Sequence, residues 1–228
     1  MTRIHRRYRG PVDSGNGGYS AGVLATHVPG DAEVTLRRPP PLDEDLQVER
    51  DGERVLLVGL DGVVAEAVPT TVDVEIPPSP DLDAARGASE AFAGHERHFF
   101  PECFSCGPDR DDGLAIFPGP LGDERVAAPF TPRTGLPAVD GALAIPIVWA
   151  ALDCAGAWAE HRAMADSPIV LGRMAAHVDR PVPVEGTHVV VGWPTDREGR
   201  KLFSATAIYD ETGIPLAWSR QTWIVLRD

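Results

Sequence analysis

Asp153 is the only charged residue between Gly141 and Ala159, in a run otherwise made of apolar and small residues. A carboxylate in such surroundings must be partnered, protonated or placed in a polar cleft, because burying an isolated charge is costly. A carboxyl group whose pKa is raised by desolvation can act as a general base toward water near neutral pH. The competing reading is a structural aspartate bonded to backbone groups or to an arginine such as Arg173. Asn16-Gly17-Gly18 is the second candidate. At a helix start its backbone amides face a positive dipole end, and glycine lets a ligand approach closely. Donors of this kind stabilise a carbonyl oxygen on which negative charge develops. The competing reading there is a plain turn ahead of a helix.

Other constellations carry less. Gly18-Tyr19-Ser20-Ala21-Gly22 has the spacing of a nucleophile elbow, but that motif needs a preceding strand, and Val12 to Gly17 is not one. Gly15-x-Gly17-Gly18 lacks the strand and the βαβ unit of a dinucleotide loop. His95, His98, Cys103 and Cys106 are ligand types that suit zinc, but the two pairs lie too close together for the usual structural-zinc spacing. A reduced, buried thiol pair beside the Gly107-Pro108 turn is the better expectation, with no metal. His161 lies two turns beyond Asp153, so the two make a poor acid–base pair.

Composition removes whole classes of chemistry. Among 21 basic residues only Lys201 is a lysine, flanked by Arg200 and Leu202, so no P-loop exists. Lys201 sits in a polar turn, which argues against Schiff-base chemistry. The net charge of −13 argues against general nucleic-acid binding. The basic arm carrying Arg3, Arg6, Arg7 and Arg9 could hold a phosphorylated ligand, although a frayed terminus is the plainer reading. Three sparse cysteines do not resemble a secreted disulfide framework. No signal-peptide core follows the arginines, and the apolar run at Gly141–Ala159 contains Pro146 and Asp153. A cytoplasmic protein without membrane spans is expected.

The elements that must position these residues form two similar halves. Arg37-Arg38-Pro39-Pro40-Pro41-Leu42 follows one strand-like run, and Asp179-Arg180-Pro181-Val182-Pro183-Val184 follows another at an offset of 142. In the first half, strands are predicted over 46–50, 55–59 and 63–68, with turns at Asp51-Gly52 and Asp61-Gly62. In the second, strands are predicted over 188–193, 202–209 and 216–226. A short helix opens at Asn16 or Gly17 and ends by Pro29-Gly30; a longer one has Pro146 in its first turn and runs to about Ala165. The longer helix is apolar nearly all round, so other structure must enclose it. The predicted units are residues 1–80 and 102–228, with 81–101 as a linker or covering helix.

A helix followed by an antiparallel meander, occurring twice, resembles the tandem hotdog fold, an α+β architecture in which a curved sheet wraps each helix. The matching pieces are Asn16-Gly17-Gly18, Leu152-Asp153-Cys154-Ala155-Gly156 and the two Arg-Pro-x-Pro elements. Cys103-Phe104-Ser105-Cys106-Gly107-Pro108 ahead of Gly113-Leu114 looks like the leader of phenylacetate-pathway-type acyl-CoA thioesterases. The resemblance implies hydrolysis of a small-molecule acyl thioester, with Asp153 as general base or nucleophile. Gly17 and Gly18 would polarise the thioester carbonyl, with Asn16, where the family often has histidine, helping to place it. An acyl tunnel would draw on Trp149, Trp158 and Val148, with plain core the competing reading for the aromatics, and arginines such as those of the N-terminal arm would meet the coenzyme A phosphates. It implies no cofactor beyond coenzyme A as part of the substrate, and a homodimer, since hotdog sheets commonly join across subunits. Asn16 in place of histidine, and the lack of an acid on the first helix, leave two alternatives: a non-catalytic acyl-ligand-binding or structural protein, and a hydratase, which would need an Asp/His pair.

Overall fold

A computed structural model describes residues 1–160 and 167–226. The first half contains α1 (Gly17–Ala25) and β1 (Ala32–Leu36), followed by β2 (Gln47–Asp51), β3 (Arg54–Gly59) and β4 (Gly62–Pro69). Helix α2 (Leu82–Glu90) follows, then the short strands β5 (Gly119–Pro120) and β6 (Val126–Phe130) and a small hairpin of β7 (Ala138–Val139) and β8 (Ala142–Leu143). Helix α3 (Ile145–Ala159) leads into the long strands β9 (Ile169–Val178), β10 (His188–Glu198), β11 (Lys201–Tyr209) and β12 (Pro215–Val225). The predicted strands lie within a residue or two of the observed ones, except that β10 continues to Glu198. Helix α1 stops at Ala25, short of Pro29. Helix α3 ends at Ala159, where Glu160 leaves helical geometry (φ −96°, ψ 26°). The predicted extension to Ala165, and His161 with it, lie outside the described residues.

Ten strands form one antiparallel sheet in the order β2-β3-β4-β1-β9-β12-β11-β10-β6-β5. The two halves therefore meet where β1 pairs with β9. Ala32 lies opposite Ala176 and Val34 opposite Met174, so the pairing is symmetric about Glu33 and Ala175. Those two positions differ by 175 − 33 = 142, the same offset that separates the two Arg-Pro-x-Pro elements. A local twofold axis thus passes through the joint, and the internal repeat of the sequence is its covalent trace. On the outer side Glu33 accepts from Arg220 (3.0 Å) and approaches Arg173 (3.3 Å), which ties β1 to β12 and β9. Pairs this exposed each contribute at most about 1 kcal/mol. The buried residues Val34, Met174 and Ala176 carry most of the joint.

Helices α1 and α3 lie on one face of the sheet. Every residue of α3 from Ile147 to Ala159 is buried, as expected for an element without a polar side. Helix α1 crosses it closely at Gly18 and Gly22. A Cβ on Gly18 would sit 2.5 Å from the Trp149 carbonyl oxygen, and one on Gly22 would sit 2.8 Å from Pro146 Cα. The opposite face of the second half is covered by residues of the 72–90 segment. Tyr209 donates to the Pro77 carbonyl (2.6 Å), and Ala85 of α2 packs with Ala127 and Val189. Among the described residues, no helix is long and apolar enough to cross a membrane.

The helix crossing predicts opposite outcomes for two glycine-to-alanine changes. Gly22→Ala must push α1 off α3, and should lower stability in urea unfolding by about 1–3 kcal/mol. Gly87→Ala on α2 meets nothing within 4 Å and should raise stability by about 0.5–1 kcal/mol through helix propensity. Equal midpoints for Gly22→Ala and wild type would contradict the close crossing.

Candidate active site

Asn16 caps α1: its Oδ1 accepts from the Tyr19 amide at 2.8 Å. That bond fixes the orientation of the side chain and turns Nδ2 toward α3, where it donates to Asp153 Oδ2 at 2.7 Å. The Gly18 amide donates to the same oxygen at 3.0 Å. This geometry depends on the glycine, since a side chain there would collide with Asp153 Cβ at 2.6 Å. Asp153 is 2% exposed, and among the described residues no donor reaches its other oxygen, Oδ1. Burial raises its pKa to about 7, opposed by the Gly18 amide, reinforced by the neighbouring Cys103 and opposed again by Asn16. One oxygen is thus held by two donors, while the other is left without a partner.

Asp153, Asn16 and Gly17 all lie on the wall of one cavity of about 570 Å³. Leu36, Pro40, Ile169, Leu171 and Trp223 supply an apolar lining, and Arg37 and Arg38 of the first Arg-Pro-x-Pro element border it. Such a cavity, mostly apolar with a few convergent polar groups, has the make-up of a small-molecule site. The carboxylate and the α1 turn, 137 residues apart in sequence, therefore meet in one place.

Several sequence expectations are corrected in detail. The Gly18 amide points at Asp153 rather than into the cavity, because α1 starts directly over α3. Asn16 likewise spends its amide on the carboxylate. Gly17, the first residue of α1, stays on the cavity wall, and the amide of such a residue has no acceptor within its own helix. Trp149, Val148 and Trp158 are core residues, and the cavity is walled by β9 and β12 instead. Arg173 pairs with Glu33, not Asp153. Ser20, by contrast, agrees with the rejection of a nucleophile elbow: it is fully buried inside α1 and donates to the Asn16 carbonyl. The basic arm is anchored rather than frayed: Ile4 is fully buried, and Arg3, Arg6, Arg7 and Arg9 pair with Asp45, Asp43, Asp112 and Glu102.

The loop that carries Cys103 and Cys106 docks on α3 through Ser105, which donates to the Ala150 carbonyl at 2.7 Å. It brings Cys103 Sγ within 3.6 Å of Cys154 Sγ and of Asn16 Nδ2. Contacts from the Cys106 and Cys154 thiols hold the Cys103 thiol well below its ordinary pKa. The sequence signal for this meeting was a lone Cys154 one residue after the candidate aspartate. The lining residues Leu171 and Trp223 carried none, because apolar strand residues look alike whether they face a core or a cavity.

No protein-family model matches the sequence, and no curated protein matches it. Solved structures do match it in shape. The tesB protein of Mycobacterium avium subspecies paratuberculosis is 12% identical with a TM-score of 0.59, covering 95% of this chain and 89% of its own. The acyl-CoA thioesterase II TesB2 of Mycobacterium marinum is 12% identical with a TM-score of 0.55, covering 87% of this chain and 80% of its own. A conserved hot dog fold protein of unknown function from Alicyclobacillus acidocaldarius is 10% identical with a TM-score of 0.55, covering 99% and 92%. Identities this low speak for the fold alone. The chain has the α+β hotdog fold that these structures share.

Proposed function

We propose that the protein is a cytoplasmic acyl-CoA thioesterase-like hydrolase in which Asp153 activates water. The observation that carries this reading is the divided carboxylate: Oδ2 is clamped by Asn16 and Gly18, while Oδ1 has no partner among the described residues, in a residue that borders an apolar cavity. A carboxylate serving only as a structural staple would be expected to have both oxygens satisfied. In the proposed reaction Oδ1 takes a proton from a water molecule as its oxygen adds to the thioester carbon. Negative charge moves to the carbonyl oxygen, which the Gly17 amide and the N-terminal dipole of α1 stabilise. The tetrahedral species expels the thiolate, which recovers the proton from Asp153, leaving a carboxylic acid and a free thiol. Coenzyme A enters as part of the substrate, and the step needs no further cofactor.

The acyl chain would lie along Leu171 and Trp223. With the four arginines of the basic arm paired, the phosphate contact falls to Arg38, exposed at the cavity border. The sheet joint lies within the chain, so a homodimer would pair two bodies that each hold a whole site. A second reading, acyl-ligand binding without turnover, is favoured by the use of both the Gly18 and Asn16 donors on Asp153 rather than on a substrate.

Thiol release from a panel of acyl-CoAs distinguishes these readings. Asp153→Asn should lower kcat by about 10²–10⁴-fold with little change in KM. Equal rates for the variant and an active wild type would remove Asp153 from the chemistry. An inactive wild type whose melting temperature rises with acyl-CoA would support the binding protein. Arg38→Ala should raise KM for acyl-CoA several-fold while leaving KM for the matching N-acetylcysteamine thioester, which lacks phosphates, unchanged. A parallel rise for both substrates would place the phosphates elsewhere.

A further inference from the structure

Three thiols from two distant parts of the chain converge beside the cavity. Cys103 and Cys106 come from the loop ahead of β5, and Cys154 comes from the middle of α3. All three are buried, and their sulfur atoms lie within 4.8 Å of one another, with Cys103 and Cys154 3.6 Å apart. Around an ion with bonds of about 2.3 Å, tetrahedral thiolate sulfurs stand a little under 4 Å apart, so this spacing fits a single centre. A disulfide would use two of these thiols and leave the third buried without a role. Hydrophobic packing alone accounts for burial but gives no reason for three sulfurs to share one centre.

His98 completes the surroundings. Its Nδ1 accepts from the Phe100 amide at 3.0 Å, so in the neutral ring Nε2 carries the proton and faces Cys106 Sγ at 3.3 Å. The imidazole therefore donates to the thiolate instead of binding the ion. Asn16 Nδ2 stands in the same relation to Cys103, at 3.6 Å. Donors of this kind orient thiolate ligands and offset their charge.

We propose that Cys103, Cys106 and Cys154 bind one soft divalent cation, with zinc the ion their thiolates favour among common metals, and that His98 and Asn16 support the set by hydrogen bonding. Three protein ligands leave the fourth tetrahedral position to a small exogenous donor. Cys103 and Cys154 border the cavity, so that donor reaches the ion from there. Each thiol gives up its proton on binding, so one ion displaces up to three protons. The ion would tie the 103–106 loop to α3 next to Asp153. This differs from the expectation drawn from sequence spacing, which took the His95–Cys106 segment by itself and had no reason to add Cys154.

The test uses untagged, reduced full-length protein grown in zinc-supplemented medium. Elemental analysis should find about one zinc per wild-type chain and less than a tenth of that in Cys106→Ser and in Cys154→Ser. Metal-free wild type titrated with cobalt(II) should develop a thiolate-to-cobalt charge-transfer band that saturates near one equivalent, a readout that needs no variant to fold. Zinc retained in both variants would overturn the proposal. So would wild type that shows no cobalt band and has three thiols titrating freely on denaturation, or a disulfide that consumes two of them.

Discussion

The clamp on Asp153 is the contact on which the rest of the structure depends. A carboxylate at 2% exposure is tolerated only with donors in place, and both come from the first turn of α1. That requirement sets how α1 meets α3: the Gly18 amide must lie within bonding distance of the carboxylate, which leaves no space for a side chain at Gly18 or at Gly22 one turn on. Asn16 serves both sides of the crossing, capping α1 with its oxygen and holding the carboxylate with its nitrogen. The two halves of the chain are joined by strand pairing at β1 and β9, but this polar contact gives their helices one register.

The same arrangement separates positioning from reactivity. Two donors on Oδ2 favour the anion and orient it, while burial opposes the charge, and the balance places the pKa near neutrality. Such a group can accept a proton and release it again within one reaction cycle. Asp153, the Gly17 end of α1 and the apolar walls of β9 and β12 share one cavity. The local twofold axis at Glu33 and Ala175 relates the two halves of the sheet, but the helices break the symmetry: α1 has 9 residues and no acid, and α3 has 15 with Asp153 at its middle. Between α1 and α3, Asp153 is thus the one carboxylate that the two helices contribute among the described residues.

Much of this was legible before any coordinates. Asp-Gly turns between β-branched runs located β2, β3 and β4, and the offset of 142 between two proline-rich elements marked two similar halves, though not the strands by which they join. Asp153 stood out because a lone charge in an apolar helix needs a partner, and that partner proved to be the Asn16-Gly17-Gly18 turn. What stayed hidden was direction. Nothing in the identity of Gly18 or Asn16 says whether its donor faces substrate or Asp153, because that follows from the crossing of two helices far apart in sequence. The thiol cluster was hidden for the same reason: Cys154 joins Cys103 and Cys106 only once the loop docks on α3 through Ser105. The arginine arm misled because its acidic partners, Asp43, Asp45, Glu102 and Asp112, are spread over distant loops.

The central claim is that the unpartnered oxygen of Asp153 activates the water that attacks the thioester carbon. A crystal structure of Asp153→Asn with an intact acyl-CoA bound tests it most directly. The account predicts the thioester carbon beside residue 153, its carbonyl oxygen within hydrogen-bond distance of the Gly17 amide, and the acyl chain against Leu171 and Trp223. A thioester bound with its carbonyl remote from residue 153, or an acyl-CoA seated outside this cavity, would contradict it.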